Sequence, residues 1–418
     1  MDSEDEGLEE DGFVLHQDDI LQVIELGDEQ PLNGVQDDLD DLDMDDDNSD
    51  HMNDDQGSAD HDTANFDLPA VSNSTKDDSV GCFRSHTGSV FSVQLHPNGE
   101  LAVSGGEDDK AFVWRTTDCS VVFECTGHKD SVSCTGFSYD GKYVATADMA
   151  GLVQVWKVTN GQCVWTYECA DLEWIFWHTN SSILFAGASD GLGWMWKVPS
   201  NDCKCFQSPG VRNTCGVLLP DGQRACFGYE NGRLSIWDLK SATISLEFMA
   251  HSSPLTCVAA HPDNNLVLTT SEDGTAQLVS INSKKALCKF ELGPTLVDKC
   301  SVESAGFCHS MPLAATGNLD GSLAIWDIPS QSLRCTCKHP DGVVKIRWCN
   351  SSPLLYTACL DGVVRLWDGR NGSVVTQWEG HNGQLLDMDM TSDDSTVVTA
   401  SEDCTARVFS LHKPNKDC

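Results

Sequence analysis

Basic residues are scarce in this sequence of 418 residues. It contains 26 Lys and Arg against 65 Asp and Glu, which leaves a formal net charge of -39. Such a chain repels the phosphate backbones of nucleic acids, so direct nucleic-acid binding is not expected. The charge predicts instead that the partner is a basic protein or peptide.

Long apolar runs are also missing. No stretch reaches the length of a transmembrane helix, so membrane insertion is not expected. The first residues, MDSEDEGLEEDG, lack the basic and apolar regions of a secretory signal. We therefore expect a cytoplasmic protein, with the nucleus as a second compartment, in which the 20 cysteines stay reduced.

The spacing Cys-x2-Cys, which is typical of structural zinc sites, does not occur. Two Cys-x-Cys pairs are present, at Cys203 and Cys205 and at Cys335 and Cys337. In a strand this spacing places both side chains on the same face, so it needs no metal to explain it. Neither a metal site nor any other cofactor is predicted.

Acidic residues are concentrated at the N-terminus. Residues 1–78 contain 28 Asp and Glu and one Lys, which predicts a disordered acidic arm. The arm either keeps the protein soluble or holds cationic partners, for which it would cooperate or compete with the rest of the chain. A short apolar motif near residues 13–26 has partly helical spacing; it either folds on binding a partner or has no structural role.

The remainder of the chain, residues 79–418, repeats one pattern eight times. His86 is followed by Asp108 after 22 positions and by Trp114 after six more. Some copies depart from this pattern: Ala150 replaces the Asp of the second copy and Val279 replaces the Trp of the fifth. The positions equivalent to Trp114 are Trp156, Trp196, Trp237, Val279, Trp326, Trp367 and Phe409. A repeat of about 40 residues with an early His and a late Trp-Asp resembles the WD-repeat family.

The resemblance implies an all-β fold, a closed eight-bladed WD-repeat β-propeller, preceded by the acidic arm. Nine residues follow Phe409, which is too few for a good fourth strand in the last blade. The segment Val80–Arg84 is not used by any repeat. We therefore expect an N-terminal strand to complete the last blade and close the ring, which removes two open sheet edges.

The repeated polar residues resemble the hydrogen-bonded brace of WD-repeat blades, in which His, a hydroxyl, Asp and Trp are joined. Two sets are complete in the sequence: His86, Ser104, Asp108 and Trp114, and His339, Thr357, Asp361 and Trp367. A catalytic triad is needed once rather than in several copies, so these residues are interpreted as structural and the protein as not an enzyme. The blades with Ala150 and Val279 are expected to be less rigid or differently packed.

The residue before the turn Asp lies at the wider face of WD-repeat propellers, beside the channel mouth. In the eight copies these residues are Glu107, Met149, Ser189, Glu230, Glu272, Leu319, Leu360 and Glu402. Four are Glu and none is basic, which predicts an acidic docking surface, although Glu is also common at exposed turns. Trp174, in the aromatic third copy, is a binding anchor if it is exposed and a core residue otherwise.

The acidic arm, the motif DDILQVIEL and eight cysteine-rich blades together resemble the angio-associated migratory cell protein family. The resemblance implies a monomeric chaperone that captures a newly made basic ribosomal protein of the large subunit during ribosome biogenesis. For animal members it also implies roles in cell migration and angiogenesis. Two alternatives stay open: a signalling scaffold, and a substrate receptor of a cullin ubiquitin ligase, with Trp367, Asp368 and Arg370 as its adaptor box.

Overall fold

The computed structural model describes residues 76–200, 202–207, 210–292 and 300–411. Within these ranges every helix or strand element is a strand, and the strands form eight antiparallel sheets of four. The predicted all-β, eight-bladed propeller is therefore confirmed. The predicted disorder of the arm, up to residue 75, and the motif near residues 13–26 lie outside the described residues.

The first strand, β1 (Gly81–Phe83), belongs to the last blade. The strands of blades one to four follow in groups of four, from the inner strand to the outer strand: β2 (Val90–Leu95), β3 (Leu101–Gly106), β4 (Ala111–Arg115), β5 (Val121–Cys125); β6 (Val132–Phe137), β7 (Tyr143–Asp148), β8 (Leu152–Lys157), β9 (Gln162–Glu168); β10 (Leu172–Trp177), β11 (Ile183–Ala188), β12 (Gly193–Lys197), β13 (Cys203–Phe206); β14 (Asn213–Leu218), β15 (Arg224–Tyr229), β16 (Arg233–Asp238), β17 (Thr243–Met249).

Blades five to eight have the same order, and blade eight has three strands of its own before β1 is added. These strands are β18 (Leu255–Ala260), β19 (Leu266–Ser271), β20 (Thr275–Ser280), β21 (Lys285–Glu291); β22 (Val302–Phe307), β23 (Leu313–Asn318), β24 (Ser322–Asp327), β25 (Ser332–Lys338); β26 (Val343–Trp348), β27 (Leu354–Cys359), β28 (Val364–Asp368), β29 (Ser373–Trp378); β30 (Leu385–Met390), β31 (Thr396–Ser401), β32 (Ala406–Ser410).

The hydrophobic core lies between blades rather than in one centre. Each of the eight clusters of buried residues in the described ranges joins two neighbouring blades. The middle strands have both faces covered, so their residues are apolar without alternation, as in the buried run Ala111–Trp114 of β4. A blade therefore cannot bury its own faces, and the ring is stable because neighbours cover each other.

The ring closes at blade eight through the N-terminal strand. β1 pairs with β32, with Gly81 opposite Val408 and Phe83 opposite Ala406. Phe83 is buried and stacks on Trp114 of blade one, with ring centroids 4.8 Å apart. The predicted closure by residues near Val80–Arg84 is confirmed.

The segment before β1 is also attached to the ring. Asp77 pairs with Arg407 of β32. The backbone N–H of Asp78 donates to the carbonyl of Glu379 at 2.8 Å, and the N–H of Glu379 donates to the Asp78 carboxylate at 3.0 Å. Attachment of the chain to the propeller thus begins before residue 79, the boundary expected from the sequence.

A second set of contacts closes the ring along the channel. Asp387 and Asp389 of β30 accept hydrogen bonds from the backbone N–H groups of Val93 and Leu95 in β2, at 3.1 and 2.9 Å. These N–H groups lie on the open edge of β2 and would otherwise lack a partner strand. Blade eight is therefore joined to blade one at the inner strands as well as at the outer strand.

Candidate functional site

One face of the ring, which we call the top face, carries the turns between the second and third strands of each blade. It also carries the connections that lead into each inner strand, as the contact of Gly88 with Glu107 and Asp108 shows. The four glutamates predicted for a docking surface, Glu107, Glu230, Glu272 and Glu402, are all exposed on these turns.

The rim of the top face alternates between acidic and apolar sectors. Glu402 and Glu107 lie on the neighbouring blades eight and one, and Glu230 and Glu272 lie on blades four and five, across the ring. Between these pairs the equivalent residues on blades two and six are apolar and exposed, Met149 by 50% and Leu319 by 39%.

Other carboxylates add to the charge of the top face. The exposed acidic residues on the same connections and turns are Asp109, Asp130, Asp171, Asp190, Asp320 and Asp341. The exposed basic residues there are Arg84, Lys129 and Arg212. Lys129 pairs with Glu168 at 3.2 Å and Arg212 pairs with Glu173 at 2.6 Å, so two of these cations are already neutralised. Lys338, exposed at the end of β25, pairs with Asp320 at 3.8 Å and neutralises that carboxylate.

The opposite, bottom face has a more balanced charge. Three of its carboxylates pair with neighbouring bases: Asp140 with Lys142 at 2.8 Å, Asp221 with Arg224 at 2.7 Å, and Asp368 with Arg370 at 2.6 Å. The negative potential is therefore directed to the top face, where a concave channel mouth strengthens it.

Glu107 is held in place by the loop that leads into β2. Its carboxylate accepts the backbone N–H of Ser89 at 3.1 Å. Hydrogen bonds from Ser89 to this carboxylate lower the pKa of Glu107 below its usual value. The side chain is therefore ionised across the physiological range and is oriented at the rim.

Trp174 is not exposed on the top face. It is half-buried in the channel wall, stacks on Phe176 with centroids 5.1 Å apart, and contacts Gly187 and Gly216. Its Nε1 donates to the backbone carbonyl of Asn213 at 3.1 Å. Trp174 therefore lies in the channel wall below the rim, where part of its side chain lines the open channel, and its role as a binding anchor stays a prediction.

The brace of blade one has the geometry that the resemblance implies. His86 Nδ1 lies 2.9 Å from Asp108 Oδ1, and His86 Nε2 lies 2.9 Å from Ser104 Oγ. Trp114 Nε1 donates to the same hydroxyl at 3.2 Å. Burial would raise the pKa of Asp108, but hydrogen bonds from His86 and Thr87 outweigh it and the pKa is lowered. All four groups are used inside the blade, so none is free for chemistry.

Blade seven does not form the complete brace expected from its sequence. His339 and Trp367 do bond Thr357, at 2.9 and 3.1 Å, but His339 Nδ1 bonds the carbonyl of Gly321. Asp361 instead pairs with Arg365, at 2.6 Å. The expectation for Asp361 is wrong because Arg365, four residues later, lies on the same face of the hairpin and offers a full charge.

Blade two has a complete brace despite Ala150. His128 Nδ1 bonds Asp148 at 3.0 Å, its Nε2 bonds Thr146 at 2.8 Å, and Trp156 donates to Thr146 at 3.1 Å. Asp148 thus takes the place of the missing turn Asp, which is the differently packed alternative of the expectation for this blade. In the fifth blade, which has Val279, His251 still bonds Thr269 at 2.9 Å.

Blades three and four replace the brace by aromatic packing. Their Trp196 and Trp237 have no hydroxyl opposite, and the indole Nε1 atoms are buried without a hydrogen-bond partner in the described residues. Trp196 packs on Trp165 and Trp194, and Trp237 packs on Phe206, with centroids 5.4 to 5.9 Å apart.

The three residues of the adaptor-box hypothesis lie together at the end of β28. Trp367 is buried, Asp368 is buried beneath the turn, and the Arg370 side chain is 59% exposed while it pairs with Asp368. Asp238 and Asp327 accept hydrogen bonds in the equivalent turns, from Ser241 and Ser330. The structure thus explains Asp368 as a turn residue, and the ligase role stays a prediction.

The described part of the chain contains no group of three His, Cys, Asp or Glu side chains placed to hold a metal ion. Its cysteines are unpaired thiols, and burial raises the pKa of most of them, for example to about 12 at Cys169 and to about 11 at Cys134. No helix there is long and apolar enough to cross a membrane.

The family model for the WD domain, G-beta repeat, matches residues 77–115, 119–157, 243–280, 330–368 and 372–410. These segments contain the first three strands of blades one, two, five, seven and eight, which are the blades with the early His. The human angio-associated migratory cell protein (Homo sapiens) is 45% identical over 354 residues, which cover 81% of this chain and 82% of the relative. The dog protein of that name (Canis lupus familiaris) is also 45% identical, over 81% of both chains.

This chain belongs to the angio-associated migratory cell protein family. This chain is also similar to the ribosome assembly protein SQT1 of Saccharomyces cerevisiae, which is 24% identical over 68% of this chain and 73% of its own. The crystal structure of Chaetomium thermophilum Sqt1 bound to the N-terminus of the ribosomal protein L10 matches with a TM-score of 0.73. The identity is 25%, and the match covers 80% of this chain and 100% of that one. The protein is thus a WD-repeat propeller that serves as a protein-interaction module.

Proposed function

We propose that this protein binds the basic N-terminal segment of a newly made large-subunit ribosomal protein on its acidic top face and keeps it soluble until assembly. The observation that carries the proposal is the concentration of exposed carboxylates at the rim, with two glutamates on blades eight and one and two across the ring. The similarity to Sqt1, whose structure holds such a segment, supports the choice of partner.

The physical role of the rim is to attract and hold cations. Carboxylates around a concave mouth focus a negative potential, which speeds the encounter with a basic segment. Each charge-assisted hydrogen bond from Arg or Lys adds about 1.5–3 kcal/mol when it is well formed. We propose that the protein acts in this way without catalysis, as a monomer in the cytoplasm and also in the nucleus.

The test reverses two neighbouring charges of the rim. Calorimetry would measure the affinity of the L10 N-terminal peptide for the full chain and for the variant Glu107→Lys/Glu402→Lys. We expect the affinity of the variant to fall at least about a hundredfold, because two attractions become repulsions. Affinity for the unaltered protein should also fall with salt, since charges are screened over about 8–10 Å.

A matched control separates the rim from the total charge. Glu100 and Asp118 are exposed on the bottom face of blade one, so Glu100→Lys/Asp118→Lys changes the net charge by the same amount. We expect this variant to bind the peptide nearly as well as the unaltered protein. Equal affinity of all three proteins at low salt would rule out the acidic top face as the binding site.

A further inference from the structure

The channel mouth below the rim is apolar on three neighbouring blades. Phe91, Val344 and Leu386 are the second residues of β2, β26 and β30, in blades one, seven and eight. All three line the central channel, whose volume is about 790 Å³, and all three are half-buried. We call these three residues the apolar arc.

At this register, the second residue of the inner strand, large apolar side chains occur only on blades one, seven and eight of the described ring, whereas blade three places Trp174 and Ile175 further along its strand. In the remaining blades the second residue of the inner strand is polar or acidic: Ser133, Glu173, Thr214, Thr256 and Glu303. A channel lining that only filled space would not need large apolar side chains on three adjacent blades while leaving them open to solvent. Half-buried apolar side chains at a mouth of this size are typical of a subsite for a partner's side chain.

The arc and one acidic sector share blades one and eight. Glu107 and Glu402 stand on the rim of blades one and eight, the same blades that carry Phe91 and Leu386. Lys345 follows Val344 of the arc in β26, and its charge is neutralised because it pairs with Asp387 at 3.0 Å. A basic segment that reaches the arc therefore meets carboxylates above it and a neutralised cation below.

Charge alone would not let the rim choose among the many basic segments that a cell contains, because long-range attraction depends little on sequence. We propose that the apolar arc receives a large apolar side chain of the client, flanked by basic residues that bind Glu107 and Glu402. The preferred client is then a cationic segment with an apolar anchor. This inference rests on the proposed function and adds the source of its specificity.

The experiment uses two synthetic peptides of equal charge, one rich in Arg and Lys with a central Phe, and one in which Ser replaces that Phe. Calorimetry with the full chain should show binding of the Phe peptide about tenfold tighter than of the Ser peptide. In Leu386→Ser this difference should shrink to less than about threefold, because the contact partner is lost. A second variant, Leu386→Gln, keeps the side-chain volume and should behave in the same way if the first is unstable.

The control variant is Val375→Ser, which removes an apolar side chain that is 52% exposed on the outer strand β29. It should keep the full preference for the Phe peptide. Equal binding of both peptides to the unaltered protein would overturn the role of the arc while leaving the acidic face intact. If neither peptide binds the unaltered protein, the proposed function itself is wrong and the inference falls with it.

Discussion

The carboxylate of Asp148 should be among the most important single groups for the stability of this propeller. Its side chain is fully buried at the end of β7. It accepts hydrogen bonds from His128 Nδ1 at 3.0 Å and from the backbone N–H groups of Lys129 and Leu152 at 3.2 and 2.9 Å. The substitution Asp148→Ala therefore leaves three donors without the carboxylate that accepts from all of them.

The magnitude follows from these donors. A buried donor that loses its acceptor costs about 1–3 kcal/mol, and the ring of His128 and the N–H of Leu152 are both well buried. Water can reach the N–H of Lys129 more easily, because that residue is exposed. We therefore expect Asp148→Ala to lower the free energy of unfolding by about 3–5 kcal/mol.

Urea unfolding at pH 7 would measure this loss against two controls. Asp190→Ala alters the turn aspartate of blade three, which is exposed and has no His partner, and should cost less than about 1 kcal/mol. Ala150→Asp adds the aspartate that the repeat pattern calls for, and should change stability by no more than about 0.5 kcal/mol because His128 is already bonded.

The pH dependence gives a further check on Asp148. Burial would raise its pKa, but hydrogen bonds from His128, Leu152 and Lys129 outweigh burial and lower the pKa below 3.8. A lowered carboxyl pKa contributes stability that is present above about pH 4 and is lost as pH falls through the folded value. The difference in the free energy of unfolding between Asp148→Ala and the unaltered protein should therefore shrink as pH falls below about 4. The importance of the Asp148 carboxylate would be refuted if Asp148→Ala were as stable as the unaltered protein at pH 7, or if it lost no more free energy of unfolding than Asp190→Ala.

Two further predictions concern ring closure and acid stability. Removal of residues 1–75 should leave the melting temperature nearly unchanged. Removal of residues 1–84 should lower the melting temperature by many degrees, because β1 and the stacking of Phe83 on Trp114 are lost. Equal melting temperatures of the two shortened proteins in a thermal scan would contradict closure by β1. Burial, with a smaller contribution from Arg365, lowers the pKa of His339 from 6.5 to about 4, so this buried neutral ring stabilises the fold above pH 6.5 and loses up to about 3 kcal/mol as pH falls toward 4. His339→Gln should flatten the urea-derived stability profile between pH 6.5 and 4, and an unchanged slope would show that another group titrates.

The blade count and the closure were predictable because both depend on local periodicity. The repeat from His86 to Trp114 sets the strand order, and the unassigned segment at Val80–Arg84 matches the strand missing from blade eight. Hydrogen-bond partners within a blade were less predictable, because a carboxylate two residues before the turn position can bond the same His ring nitrogen. Asp148 is such a case.

In blade one the position equivalent to Asp148 is Gly106, and a Cβ added there would lie 2.9 Å from His86 Nδ1. An acidic side chain at this position therefore points at the His ring, and it can replace the turn aspartate. The sequence does show an Asp in the second copy where the first copy has Gly. Its role as the partner of the His imidazole can be recognised only once the distance between the two positions is known.

The partner of Arg407 could not be found from the repeat. Arg365 and Arg407 occupy equivalent positions, four residues after Asp361 and Asp403. Arg407 pairs with Asp77, so Asp403 bonds His381 at 3.0 Å. Arg365 instead pairs with Asp361, the turn aspartate of its own blade. The choice depends on a residue 330 positions away, which no pattern within one blade contains.

The pairing of β1 with β32 fixes the order in which this protein can become functional during its own synthesis. The ribosome makes β1 first and β32 last, so the closing sheet and the contacts of Asp387 and Asp389 with β2 form only when nearly the whole chain has been translated. Contacts of such long sequence separation are slow to form. The neighbouring glutamates Glu107 and Glu402 are brought together by the same event, so a prematurely terminated chain lacks that half of the rim.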